Sequence, residues 1–67
     1  MNQQQILYDK IYKKYKHGES LKEYSVGVIF KALKANNLQV VVVEDQDGKQ
    51  LLFNYVPEMN NFFRVLV

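Results

Sequence analysis

Few side chains in this chain are equipped for acid–base chemistry. His17 is the single histidine and stands between Lys16 and Gly18. Glu44, Asp45 and Asp47 crowd together beside Gly48. A nucleophile needs a base within hydrogen-bond reach, and that base needs an orienting partner. Two carboxylates sharing acid–base work need one of them held at a raised pKa. A histidine at a helix end and carboxylates at a turn meet neither demand, because water keeps such groups ordinary. The Asp45-x-Asp47-Gly48 spacing faintly resembles a calcium loop. An EF-hand laid over it requires an acidic group at position 43 and a glutamate at position 54, where the chain has Val43 and Asn54. There is no cysteine, so a thiolate zinc site is excluded, and one histidine builds no His-rich cage. Gly18, Gly27 and Gly48 are isolated and form no phosphate-cradling loop. The residues therefore read as no enzyme, no metal, no cofactor and no small-molecule substrate.

Binding is the remaining class of chemistry. Lys10, Lys13, Lys14 and Lys16 make a basic stripe that His17 and Lys22 extend, and such a stripe neutralises phosphates. The order from Ser20 to Val56, helix then strand, Asp-Gly turn and strand, resembles the back half of a winged helix with the 45–48 hairpin as its wing. That resemblance implies a small nucleic-acid-binding regulator. Two features oppose it. A recognition helix needs a polar face to read base edges, and the helix before the wing offers almost none. The chain also lacks room for the usual three helices ahead of the wing. The tyrosines near the lysines fall on the opposite helix face, so no stacking platform for single strands results. The bland alternative for the stripe is a solvated helix face.

Protein–protein contact has more support. Five tyrosines and four phenylalanines among 67 residues, within a hydrophobic share of 48%, exceed what a minimal core requires, and tyrosine is enriched at interfaces. A domain of this length buries only about 60% of its unfolded surface, so part of the apolar content is expected to face a partner or a second copy. Tyr24, Phe30, Phe62, Arg64 and Leu66 are the candidate interface residues.

The elements that position these groups follow from pattern. Residues 3–17 read as a helix: Asn2 caps it, Leu7, Tyr8, Ile11, Tyr12 and Tyr15 share one face, and Gly18 supplies the left-handed exit. Ser20-Leu21-Lys22-Glu23 matches a capping box and predicts a second helix over 21–36, apolar nearly all round and ending at Asn36-Asn37. Tyr24 to Phe30 is also roughly alternating and β-branched, so a strand there is the rival. Strands are expected over 38–44 and 50–56, flanking a four-residue turn Asp45-Gln46-Asp47-Gly48. That turn sets Leu38, Val40 and Val42 with Leu51, Phe53 and Tyr55 on the core face. Pro57 breaks the second strand. A third strand over 61–67 is expected to leave an unshielded apolar edge.

The expected fold is one α+β domain, two helices packed on a three-stranded antiparallel β-meander (ααβββ). The longest aliphatic run, Val40 to Val43, is far below the roughly 20 residues that span a bilayer. The polar start Met1 to Gln5 shows no signal-peptide pattern, and a cytoplasmic location is expected. The net charge of +2 is too small to imply nucleic acid by itself. The expected function is a small non-enzymatic interaction or regulatory protein, a homodimer or a binder of another protein. Its richness in Lys, Asn, Tyr and Phe suggests an AT-rich coding source such as a low-GC bacterium or its phage. Very small cysteine-free cytoplasmic proteins of this composition are often phage- or mobile-element-encoded inhibitors that bind a host protein.

Overall fold

The computed structural model describes residues 2–66. Two helices, α1 (Gln3–Lys16) and α2 (Val26–Ala35), precede three strands, β1 (Val40–Glu44), β2 (Gln50–Val56) and β3 (Asn61–Arg64). The strands form one antiparallel sheet in the order β1-β2-β3. The α+β meander expected from the sequence is the observed architecture. Val67, placed by pattern in the third strand, lies outside the described residues.

Local chemistry sets the helix ends. Asn2 accepts the Gln5 N–H at 2.7 Å and so satisfies one of the orphan donors of the first turn. α1 closes in a Schellman motif: the Glu19 N–H reaches the Lys14 carbonyl and the Gly18 N–H the Tyr15 carbonyl, with Gly18 at φ +72. α2 closes the same way. Leu38 N–H bonds to the Leu33 carbonyl and Asn37 N–H to that of Lys34, with Asn37 left-handed at φ 65. This exit takes Leu38 out of the sheet, and β1 starts two positions later than the pattern suggested.

The start of α2 differs more. The helix begins at Val26, not 21, and is capped by Ser25, whose hydroxyl accepts the Val28 N–H. The Ser20-x-x-Glu23 box is not used as a cap. Ser20 instead accepts from Lys22 N–H within a short turn closed by Tyr24 N–H to the Leu21 carbonyl. The Glu23 carboxylate is drawn across to Lys14 at 2.7 Å, so it is not free to reach back to the Ser20 backbone. The rival strand over Tyr24 to Phe30 is not formed.

The hairpin register is set by its turn. Asp45 and Lys49 pair directly, Asp45 N–H to the Lys49 carbonyl at 2.8 Å. The loop is therefore three residues, Gln46, Asp47 and Gly48, with Gly48 at φ +82. This is the type I turn closed by a left-handed bulge residue. The Asp45 carboxylate accepts the N–H groups of Asp47 and Lys49, both at 2.9 Å. A four-residue turn shifts the pairing by one, and a one-residue shift exchanges the faces. The observed register pairs Val41 with Phe53 and Val43 with Leu51. The expectation that Val40 and Val42 face the core is thus corrected: Val41 and Val43 do, and Leu51, Phe53 and Tyr55 join them as expected.

The core lies between α2 and the inner sheet face. Ile29, Leu33, Val41, Val43 and Phe62 are its buried members. Phe30 stacks on Phe62 and meets Phe53 edge-on, both with ring centroids 4.9 Å apart, and Tyr55 meets Phe62 edge-on at 5.4 Å. α1 packs along α2, with Ile11 and Ala32 fully buried and Tyr12 and Tyr15 against the core. β2 runs to Val56, where Pro57 opens a single 3-10 turn, Pro57–Met59. Asn60 then turns left-handed at φ 51. Its side-chain oxygen accepts bonds from the Lys34 ammonium and, at 2.7 Å, the Tyr55 hydroxyl, which ties the end of α2 to the β2–β3 turn.

Candidate interaction surface

The residues singled out for interaction divide by burial. Phe62 is 5% exposed and Phe30 half-buried against it, so both rings are occupied by the core. Tyr24 is half-buried and packs beside that core, under the Lys14 ammonium at 5.8 Å from its ring centroid. Arg64 and Leu66 are exposed, Leu66 by 85%. They do not form one patch with the other three.

The structure gathers a different set. With Val41, Val43 and Phe62 turned inward, alternation along each strand sends Val40, Val42, Leu52, Asn54, Val56, Phe63 and Val65 to the outer face. The pairings form rows across the sheet. Asn54 stands between Val40 and Phe63, and Val42 beside Leu52; the Val65 N–H bonds to the Leu52 carbonyl at 2.9 Å and extends that second row. No helix covers this face: Val40 is 58% exposed, Val42 41%, Phe63 44% and Val65 37%. Asn54 is the polar group at its centre. Glu44, Gln50 and Asn61 stand at its rim. An apolar centre with a polar rim is the usual anatomy of a protein interface. Sequence reasoning missed this set because the parity of the hairpin loop decides which valines turn outward. The mixed, unusually apolar second face of the hairpin was the available signal.

The sheet edges are treated differently from the face. In β1 the backbone groups of Val40, Val42 and Glu44 point away from β2, since the odd-numbered residues pair with it. The Tyr15 hydroxyl of α1 takes the Val42 N–H at 3.1 Å. In β3 the Phe62 N–H points outward, and the side chain of Asn61 takes it at 2.8 Å. Both edges thus carry a side chain on a central donor. Beside the β1 edge an open groove of about 1120 Å³ runs between the 18–25 loop and the hairpin base, lined by Tyr15, Leu21, Tyr24, Ile29 and Val42 among others.

The basic stripe is partly engaged. Lys10, Lys13, Lys16 and His17 are exposed. Lys14 pairs with Glu23 at 2.7 Å, and Lys22 lies 3.6 Å from Glu44. Lys16 sits over the Tyr12 ring at 5.7 Å. Glu44, Asp45 and Asp47 make the hairpin acidic, the wrong sign for a wing resting on phosphates. Among the described residues no three His, Asp or Glu side chains gather as metal ligands, and no helix is long and apolar enough to cross a membrane.

The Lys14–Glu23 pair has a pH signature. The Lys14 hydrogen bond, and then its positive charge, hold the Glu23 carboxyl below its usual range, and the same bond raises Lys14. A depressed carboxyl stabilises above its unfolded pKa and loses that contribution as pH falls through the folded value; a raised lysine loses its contribution as pH rises through its own. The pair therefore supports the fold between these limits. Both groups are solvent-accessible, so salt screens them. Melting of the parent and of Glu23→Gln is expected to differ at neutral pH. The two should converge in acid below the carboxylate range and in about 1 M salt. A difference that persists in both conditions would assign the loss to packing.

Compared with protein-family models, curated proteins and solved structures, the chain matches none of them.

Proposed function

We propose that this chain is a small non-enzymatic interaction protein whose working surface is the outer face of its sheet. The observation that carries the reading is the uncovered set of Val40, Val42, Phe63 and Val65, exposed in two rows on one side of a domain that packs both helices on the other. Monomeric proteins rarely leave contiguous apolar patches of more than a few hundred Å² in water. A regulatory role by occupation of a partner's surface follows from such a face. The chain's size and its lack of cysteine suit an inhibitor acting in a reducing cytoplasm, of the kind that a phage or mobile element encodes.

The non-enzymatic part rests on where the polar groups are used. The Asp45 carboxylate is engaged by turn N–H groups, and His17 stands exposed at the C-cap of α1. A nucleic-acid reading is less favoured, because Lys14 and Lys22 stand against carboxylates and the hairpin that would serve as wing is acidic.

The test is capture by the immobilised chain, compared with Val42→Lys/Phe63→Lys. Charges in the centre of the face are expected to lower binding of any true partner by about tenfold or more, with circular dichroism unchanged. If every bound protein were retained by the variant, and the chain did not associate with itself, the outer face would not be the working surface.

A further inference from the structure

Resting on that reading, we infer that the occupant of the outer face is a second copy of this chain, seated face to face about a two-fold axis near Asn54. Three observations converge. The first is area. A monomer of 7.9 kDa ordinarily exposes about 4,400 Å², whereas this chain exposes 5204 Å², an excess of about 800 Å² that matches what a standard interface takes from each partner. The molecule is a plate, 39 × 30 × 18 Å, and among the described residues the helices lie on one side of the sheet only. Stacking two sheets about 10 Å apart converts two open plates into an α/β/β/α sandwich with helices on both outsides.

The second observation is charge. The central residues Val40, Val42, Leu52, Asn54, Val56, Phe63 and Val65 carry none, and the single carboxylate at the rim, Glu44, lies beside Lys22. A copy of the face therefore meets no like charge at its centre. Asn54 lies on the middle strand, flanked by Val40 and Phe63. In an isologous interface a residue near the axis meets its own copy, and an amide carries both a donor and an acceptor to offer it.

The third is that each edge has one backbone donor already taken. Tyr15 holds the Val42 N–H and Asn61 the Phe62 N–H, so adding a strand at either side first costs a hydrogen bond. The face costs none.

Sedimentation equilibrium of the full chain tests this. The parent is expected at twice the 7.9 kDa chain mass. Asn54→Asp places two carboxylates against each other. It is expected to weaken the dimer about 100-fold at neutral pH and to recover it below the carboxylate range, where the acid is neutral. Phe63→Glu, off the axis, should dissociate it with the fold intact by circular dichroism. A dimer indifferent to both substitutions is held elsewhere and overturns the face assignment. A parent that stays at the single-chain mass to millimolar concentration overturns the second copy. In that event, capture of a partner that Val42→Lys/Phe63→Lys fails to bind leaves the interaction reading standing, and no such partner removes both.

Discussion

Replacing Phe62 by alanine is expected to unfold the domain, while the same replacement at its neighbour Phe63 leaves it folded. The two phenylalanines are adjacent, yet Phe62 is 5% exposed and Phe63 44%. The Phe62 ring is the hub of the aromatic cluster, with Phe30 stacked on it and Tyr55 against its edge. Removing a buried phenylalanine costs about 3–5 kcal/mol in transfer and cavity terms. A single core in a chain of this length supplies about 3–5 kcal/mol in total, so the loss consumes the margin. Phe63 has no such role in the fold. Its truncation should cost about 1 kcal/mol or less, within the range of surface changes, and should act on binding instead. Far-ultraviolet circular dichroism with urea titration separates the outcomes. A folded Phe62→Ala beside an unfolded Phe63→Ala would mean that the sheet presents its other face to α2.

Leu33→Ala carries the next largest effect, a loss of about 3 kcal/mol. Leu33 is fully buried in the cluster that joins α2 to Val41, Val43 and Phe62. Its backbone is unaffected by the change, since alanine is the better helix former and the carbonyl still receives the Leu38 N–H that closes the helix. The measured loss is therefore a packing loss. It should appear as a lower urea midpoint with an unchanged slope. Val26→Ala on the same helix is the control, because Val26 is 50% exposed and its change should fall within about 0.5 kcal/mol. Equal losses at the two positions would contradict the placement of α2.

Most of the fold was legible because its signals are local. Asn2 and Gly18 bound α1, Asn36-Asn37 ends α2, Asp45 to Gly48 marks the hairpin, and Pro57 ends β2. Two features were not legible: one is a competition between groups on separate elements, the other a choice made within the turn itself. Ser20-x-x-Glu23 has the residues of a capping box, but Lys14 claims the Glu23 side chain, and the helix waits for Ser25. The hairpin turn is correctly placed, yet whether Asp45 belongs to the loop or to the strand decides which valines turn inward. Periodicity tells which residues share a face, not which face a helix will cover. Hence Phe30 and Phe62, apolar and aromatic, read as interface residues and serve as core, while Val40 and Val42, expected to face the core, stand in the open with Val65.

The Tyr15 and Asn61 hydrogen bonds to the strand backbones have a consequence for how this protein behaves in a crowd. Strand addition in a line is the route by which sheets become polymers, and it requires two unblocked ends per molecule. Here one donor at each end is held by the chain's own side chain, so each strand added along the direction in which fibrils grow first breaks a hydrogen bond. Growth along that direction is therefore disfavoured, whatever covers the outer face. Scattering from increasingly concentrated solutions is expected to level off rather than climb, and Tyr15→Phe, which uncaps one end, is the change that would let it climb.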